Sequence, residues 1–127
     1  MSLLLLPAFS YSQSYLCVTE ASAGIDYDLP SDKPIGRVFA SDSKYILKFE
    51  SGLWKVNFFG SDYKINECGY RGVYIDCKDI AHNFTFDSER KNFVIYSVLG
   101  AHGLYKSDDG SEFKLTPIIE VGDCSEI

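Results

Sequence analysis

The feature that most restricts this chain is its alternation. In KYILKFE (residues 44–50), Tyr45, Leu47 and Phe49 fall on one side and Lys44, Lys48 and Glu50 on the other, with Ile46 the exception. Successive side chains of a strand point to opposite faces, so an apolar set at every second position marks a half-buried strand. Ser51-Gly52 follows as a tight-turn pair. LWKVNFF then resumes the pattern, with Trp54, Val56 and Phe58 opposite Lys55 and Asn57. The two runs predict a hairpin.

The same reading extends along the chain. YLCVTE predicts a first strand, and residues 28–36, with two prolines, predict a loop. YKINEC and VYIDC predict a second hairpin, with Val73, Ile75 and Cys77 on one face. NFTF and NFVIYSVL, joined by DSERK, predict a third. GLYKS and EFKLTPIIEV flank Asp108-Asp109-Gly110 and predict a fourth, in which Pro117 requires an edge or a bulge. No helical period persists beyond about two turns, and only DIAHNF leaves room for a short helical turn. The expectation is an all-β fold of about eight to ten short strands in meander order. Exposed sheet edges are sticky, so such a meander closes as a small antiparallel barrel-like sheet or folds as a sandwich.

The opening MSLLLLPAFSYSQSYLC carries no charge before Glu20. Its apolar run, Leu3 to Phe9, is broken by Pro7 and is far short of the ~20 residues that span a bilayer. An apolar stretch followed by Ser10-Tyr11-Ser12 fits a signal peptide, cleaved after Ser12 or Ser14. The missing N-terminal Lys or Arg and the short apolar run imply a leader cut short at its start. The expected division is a leader over 1–14 and one β domain over 15–127. The alternative is an apolar first strand belonging to the domain. Lipidation at Cys17 does not fit, because Tyr15 and Leu16 before it are bulky. Export implies a periplasmic or secreted protein.

Four cysteines in an exported chain imply two disulfides, for which three pairings exist. The favoured set is Cys68–Cys77, bracketing CGYRGVYIDC with Gly69 and Gly72 available for a turn, and Cys17–Cys124, tying the start of the domain to its end. A zinc site is disfavoured, because no CxxC and no nearby histidine pair is present.

Composition narrows function mainly by exclusion. The net charge is −6, and Arg90-Lys91 is the only adjacent basic pair, so nucleic acid and anionic membrane surfaces find no electrostatic footprint. His82 and His102 are the only histidines, and no GxSxG elbow accompanies them. Both read as surface residues beside loops. SDDGSE is too compact for a calcium loop and reads as an Asp-Gly hairpin turn. Asn83-Phe84-Thr85 is formally a glycosylation sequon. No two of the eighteen acids stand out as a glycosidase pair.

Aromatics make up 15% of the chain, with nine Tyr, nine Phe and Trp54. Tyr63, Tyr70, Tyr74, Tyr96 and Tyr105 exceed what a core of this size needs. They read as half-buried cross-strand pairs or as a binding surface for an apolar molecule, a glycan or a protein edge.

SYLCVTEASAG, KYILKF, WKVNFFG, GYRGVYIDC and IIEVGDCS follow one another in an order that resembles a group of small secreted proteins of Gram-negative bacteria. These carry a signal peptide, a Tyr-x-Cys start, a cysteine in the middle hairpin and an Ile-Glu-(Ile/Val)-Gly-x-Cys-Ser ending. The resemblance covers almost the whole mature chain. It implies export and a β fold, and it carries no activity, cofactor or catalytic residue. The functional expectation is a non-catalytic binding or interaction module of the cell envelope. A lipocalin-like carrier of a small apolar ligand and a glycan-directed enzyme are the alternatives. No cofactor and no metal is expected.

Overall fold

A computed structural model describes residues 13–28, 33–97, 103–106 and 108–127. In chain order its strands are β1 (Gln13–Asp28), β2 (Lys33–Phe39), β3 (Lys44–Glu50), β4 (Leu53–Phe58), β5 (Lys64–Ile65) and β6 (Cys68–Arg71), then β7 (Tyr74–Lys78), β8 (His82–Asp87), β9 (Asn92–Ser97), β10 (Gly103–Lys106), β11 (Glu112–Leu115) and β12 (Ile118–Glu126). The fold is all-β. Ten strands form one antiparallel sheet in the order β5-β4-β3-β1-β12-β9-β8-β7-β6, with β2 added to the far half of β1, while β10 and β11 pair separately. The meander is thus interrupted in the middle, where β1 and β12 lie side by side between β3 and β9.

The sheet curls into a nearly closed barrel. Its seam lies between β4–β5 and β6, where the Trp54 indole Nε1–H donates to the Tyr70 hydroxyl at 2.6 Å. Alternation explains the filling. Leu47, Val56, Phe84, Phe86, Phe93 and Ile95 point inward and are fully buried. Phe84 stacks on Phe93 with ring centroids 5.5 Å apart, and Tyr45 meets both edge-on. Burying such side chains is the main favourable term in folding.

Both favoured disulfides form, Cys17–Cys124 and Cys68–Cys77. Each joins directly opposed residues in register. The Cys124 N–H turns away from β1 to the Lys91 carbonyl, and the Lys78 N–H binds the Glu67 carbonyl beside the second pair. Both cystines therefore occupy non-hydrogen-bonded sites, where opposed side chains lie closest.

The KYILKFE–LWKVNFF hairpin forms as expected, Tyr45 facing Phe58 and Glu50 facing Leu53. Ser51 and Gly52 both take positive φ, 55° and 79°, the combination a two-residue hairpin turn requires. Five local expectations are corrected. The first strand runs to Asp28, far past YLCVTE. Residues 33–36 form the start of β2, with Pro34 tolerated because β2 pairs only with β1.

YKINEC does not pair with VYIDC as one strand. Lys64–Ile65 fold back onto β4 and bury Ile65, and only Cys68–Arg71 pair with β7. DIAHNF holds no helical turn: Asp79 Oδ1 accepts the N–H groups of Ala81 (2.8 Å) and His82 (2.7 Å), and His82 already begins β8. Pro117 separates β11 from β12 altogether, and its carbonyl accepts the Ile25 N–H at 3.0 Å. Of the expected leader, residues 1–12 lie outside the described residues, while Gln13 and Ser14 pair with Phe49 and Lys48. No described helix is long and apolar enough to cross a membrane.

Candidate functional site

Strands β6 to β9 present a groove on the outside of the barrel. Cys77, Phe84 and Ile95 point inward, so period two sends Asp76, Lys78, Asn83, Thr85 and Tyr96 outward. Together with Asn66, Glu67 and Arg71 they line a concavity of about 900 Å³. Asp76 is its hub. Arg71 donates to it from Nε (2.8 Å) and Nη2 (3.3 Å), and the Thr85 hydroxyl donates at 2.8 Å. Those donors hold the Asp76 carboxyl below the usual carboxylate range, the Arg71 bond contributing most. Arg71 also stacks on Tyr74, 4.7 Å from the ring centroid. Gly69, opposite Asp76, leaves open space where a Cβ would stand.

A second trough, about 380 Å³, adjoins the first and is lined by Ala23, Gly24, Ile25, Pro117, Ile118 and Ile119. Tyr96, 51% exposed, lines both. Register explains their continuity. One cross-strand row reads Val38–Ala23–Ile119–Tyr96–Asn83–Lys78. The neighbouring row reads Ala21–Val121–Val94–Thr85–Asp76–Gly69. Both pass from apolar residues over β1 and β12 to polar residues over β8 and β7.

The remaining predicted tyrosines disperse. Tyr70 is 70% exposed and serves the seam through Trp54 as well as bordering the groove. The Tyr63 hydroxyl donates to Asp79 and lies 3.4 Å from His82 Nδ1. The side chain of Tyr105 lies outside the described residues. Its backbone pairs with Phe113 in the β10–β11 hairpin around the Asp-Gly turn.

His82 is not the surface residue its sequence context implies. It is largely buried, packs edge-on against Phe58 at 5.0 Å, and sets Nδ1 3.1 Å from Asp79 Oδ1. Burial pushes the Asp79 carboxyl up. Hydrogen bonds from Tyr63, Ala81 and His82 outweigh it and hold the carboxyl below its ordinary value. An oriented Asp–His pair resembles half of a hydrolytic centre. Among the described residues, however, His82 is hydrogen-bonded to no serine or cysteine, and all four cysteines are in disulfides. The cluster acts as a clasp between the β4–β5 and β7–β8 connections. His102 lies outside the described residues.

Sequence reading missed Glu120. It is buried and accepts the Tyr45 hydroxyl at Oε1 and the Ser41 hydroxyl at Oε2, the latter at 2.5 Å. Burial, and then the Glu120 carboxylate, push Tyr45 far above the ordinary tyrosine range. The available signal was parity: Glu120 lies four residues before Cys124, so a strand turns both to the same side. Among the described residues no cluster of His, Cys, Asp and Glu is arranged to hold a metal ion. No family model, curated protein or solved structure matches this chain.

Proposed function

We propose that this chain is an exported, non-catalytic binding module of the cell envelope, and that it binds through the outer groove of β6–β9. The observation that carries the reading is the concavity around Asp76 and Tyr96. It falls in the size range of small-ligand sites and combines an aromatic face with convergent polar groups. Its residues stand on strands, and the Cys68–Cys77 disulfide staples one side of it, so the site is held rigid. Two disulfides favour an oxidising compartment, in agreement with the leader-like opening.

The outer face is preferred over an interior lipocalin-like site because fully buried aromatic and aliphatic side chains occupy the barrel's middle. A purely structural use of the Asp79–His82 clasp is preferred over catalysis because, among the described residues, no serine or cysteine is hydrogen-bonded to His82. The test is a backbone-amide NMR screen of the oxidised protein against neutral sugars, short peptides and amphiphiles. Shifts clustered on Gly69–Arg71, Asp76–Lys78, Asn83–Thr85 and Tyr96 are expected. Hits confined to core amides or to the Asp79–His82 turn would replace this reading.

A further inference from the structure

We infer that the ligand of this face is a small amphiphile, a neutral saccharide carrying an apolar aglycone, lying along the row from Val38 to Lys78 with Tyr96 beneath the junction. The inference rests on the binding reading above and adds the ligand's chemistry to it.

Charge argues for a neutral head. The chain carries −6 overall, yet the groove sets Arg71 and Lys78 against Glu67 and Asp76, two charges of each sign. A ligand head of either charge would face a charge of its own sign within the same site. Side-chain chemistry favours a polyol: Asp76 accepts, Asn83 both accepts and donates, Lys78 donates, and Tyr96 offers a ring face to C–H groups. Location argues against a peptide strand. Over β7, β8 and β9 the groove floor is the face of a sheet whose backbone groups are already paired, whereas strand addition needs a free edge, which the groove has at its β6 margin alone.

The apolar half argues for the aglycone. On β12 the inward position is the acid Glu120, while Ile119 and Val121 on either side of it point outward. Opposite them stand Ala21 and Ala23, and Val38 at the end of the row is 83% exposed. Ordinary strand patterning would reverse this polarity. The apolar trough touches the polar groove at Tyr96, so one ligand of mixed character fits both where two separate ligands would compete for one ring.

The experiment is an NMR titration of the oxidised protein with n-octyl glucoside below its micelle concentration, against glucose and octyl sulfate. Octyl glucoside is expected to shift amides at both ends of the row, near Ala23 and Ile119 and near Asp76 and Asn83. It is expected to bind roughly tenfold or more tighter than glucose, since burying two methylenes suffices for that factor. Tyr96→Ala is expected to weaken it about tenfold. Gly69→Trp, which places a bulky ring where no neighbour stands, is expected to block the polar end and keep the native spectrum elsewhere. Equal binding of octyl sulfate, or octyl glucoside shifts confined to the apolar trough, would overturn the saccharide head. Shifts in the polar groove with short peptides but with neither glycoside nor glucose would overturn the ligand class and leave the site standing. Silence of both troughs to every probe would overturn the site as well.

Discussion

Strand β8 turns Phe84 and Phe86 into the barrel and Asn83 and Thr85 out of it, whereas β12 turns Glu120 in and Ile119 and Val121 out. Both strands alternate and both lie inside the same sheet. On β8 the pattern follows burial: the large apolar side chains leave water. On β12 the inner position is polar because Tyr45 and Ser41 bring hydroxyls to meet it, and the outer positions are apolar with no counterpart on β8. A sheet can therefore keep its period of two and still exchange the roles of its faces. Where it does so, the exposed apolar side calls for something to cover it.

What holds β12 in place with so little apolar contact beneath it gives the largest expected effect. Cys17–Cys124 spans 107 residues of sequence and Cys68–Cys77 spans 9. In the chain-entropy description the first contributes about 4.8 kcal/mol and the second about 2.6. Replacing Cys17 and Cys124 together with alanine is expected to lower guanidinium-unfolding stability by nearly twice as much as replacing Cys68 and Cys77. Equal losses would mean that local geometry, not loop closure, sets the contribution of each.

Under β8 the test is Phe84→Ala. Phe84 is fully buried among Phe93 and Tyr45 and is expected to cost about 3–5 kcal/mol by denaturant titration. Under β12 the matching change is Tyr45→Phe, which keeps the ring and removes the donor to Glu120. It is expected to cost about 1–3 kcal/mol, because the carboxylate keeps only Ser41 and stays buried. A loss as large as that of Phe84→Ala would show that the polar inner layer matters to stability as much as the aromatic one.

Acid separates the faces in another way. Asp76 on the outer face is held below its ordinary value by Arg71 and Thr85, and Asp87 by the N–H groups of Arg90 and Glu89. A carboxyl whose folded pKa lies below its unfolded one contributes stability above the unfolded value, near 3.9 for Asp, and loses it as pH falls through the folded value. The melting temperature is expected to fall as pH drops from about 5 toward 2. Asp76→Asn is expected to flatten that fall, and an unchanged slope would show that Arg71 screens Asp76 equally in the unfolded chain.

Much of β8 was legible beforehand and little of β12. The hairpins with alternation and a turn signal at the right spacing, KYILKFE–SG–LWKVNFF above all, follow from local chemistry. So does the Cys68–Cys77 staple, since the two cysteines flank their own turn. The Cys17–Cys124 pair could be favoured because it ties the first expected strand of the domain to the last. The fold-back of Lys64–Ile65 was not legible, because two residues carry no period. Neither was the extension of β1 past Glu20, beyond the register shift between Thr19 and Ala21 where a bulge breaks parity. Gly122 belongs to that bulge: a Cβ there would stand 1.9 Å from the Val18 carbonyl oxygen and 2.9 Å from the Phe93 ring. The surplus of tyrosines was legible, but their positions were not: the pairing of Tyr96 with Ile119 and Asn83 sets it between the two troughs, and pairing between distant strands is not written in any local pattern.

The smallest expected effect decides the comparison. Exposed strand positions away from special features tolerate substitution within about 0.5 kcal/mol. Asn83→Ser on β8 is expected to stay within that range. If the outer side of β12 is uncovered in the free protein, Ile119→Thr stays close to that, at about 1 kcal/mol or less, since Thr keeps the branched shape a strand favours and Ile119 is only half-buried. The measurement is a pair of denaturant curves in the absence of any ligand. Near-identical midpoints leave Ile119 free to serve a partner, and the same variant then weakens binding at the apolar trough. A loss of several kcal/mol for Ile119→Thr alone would mean that the chain itself covers this face. The reversal on β12 would then be a second small core, and the exposed row would end at Tyr96.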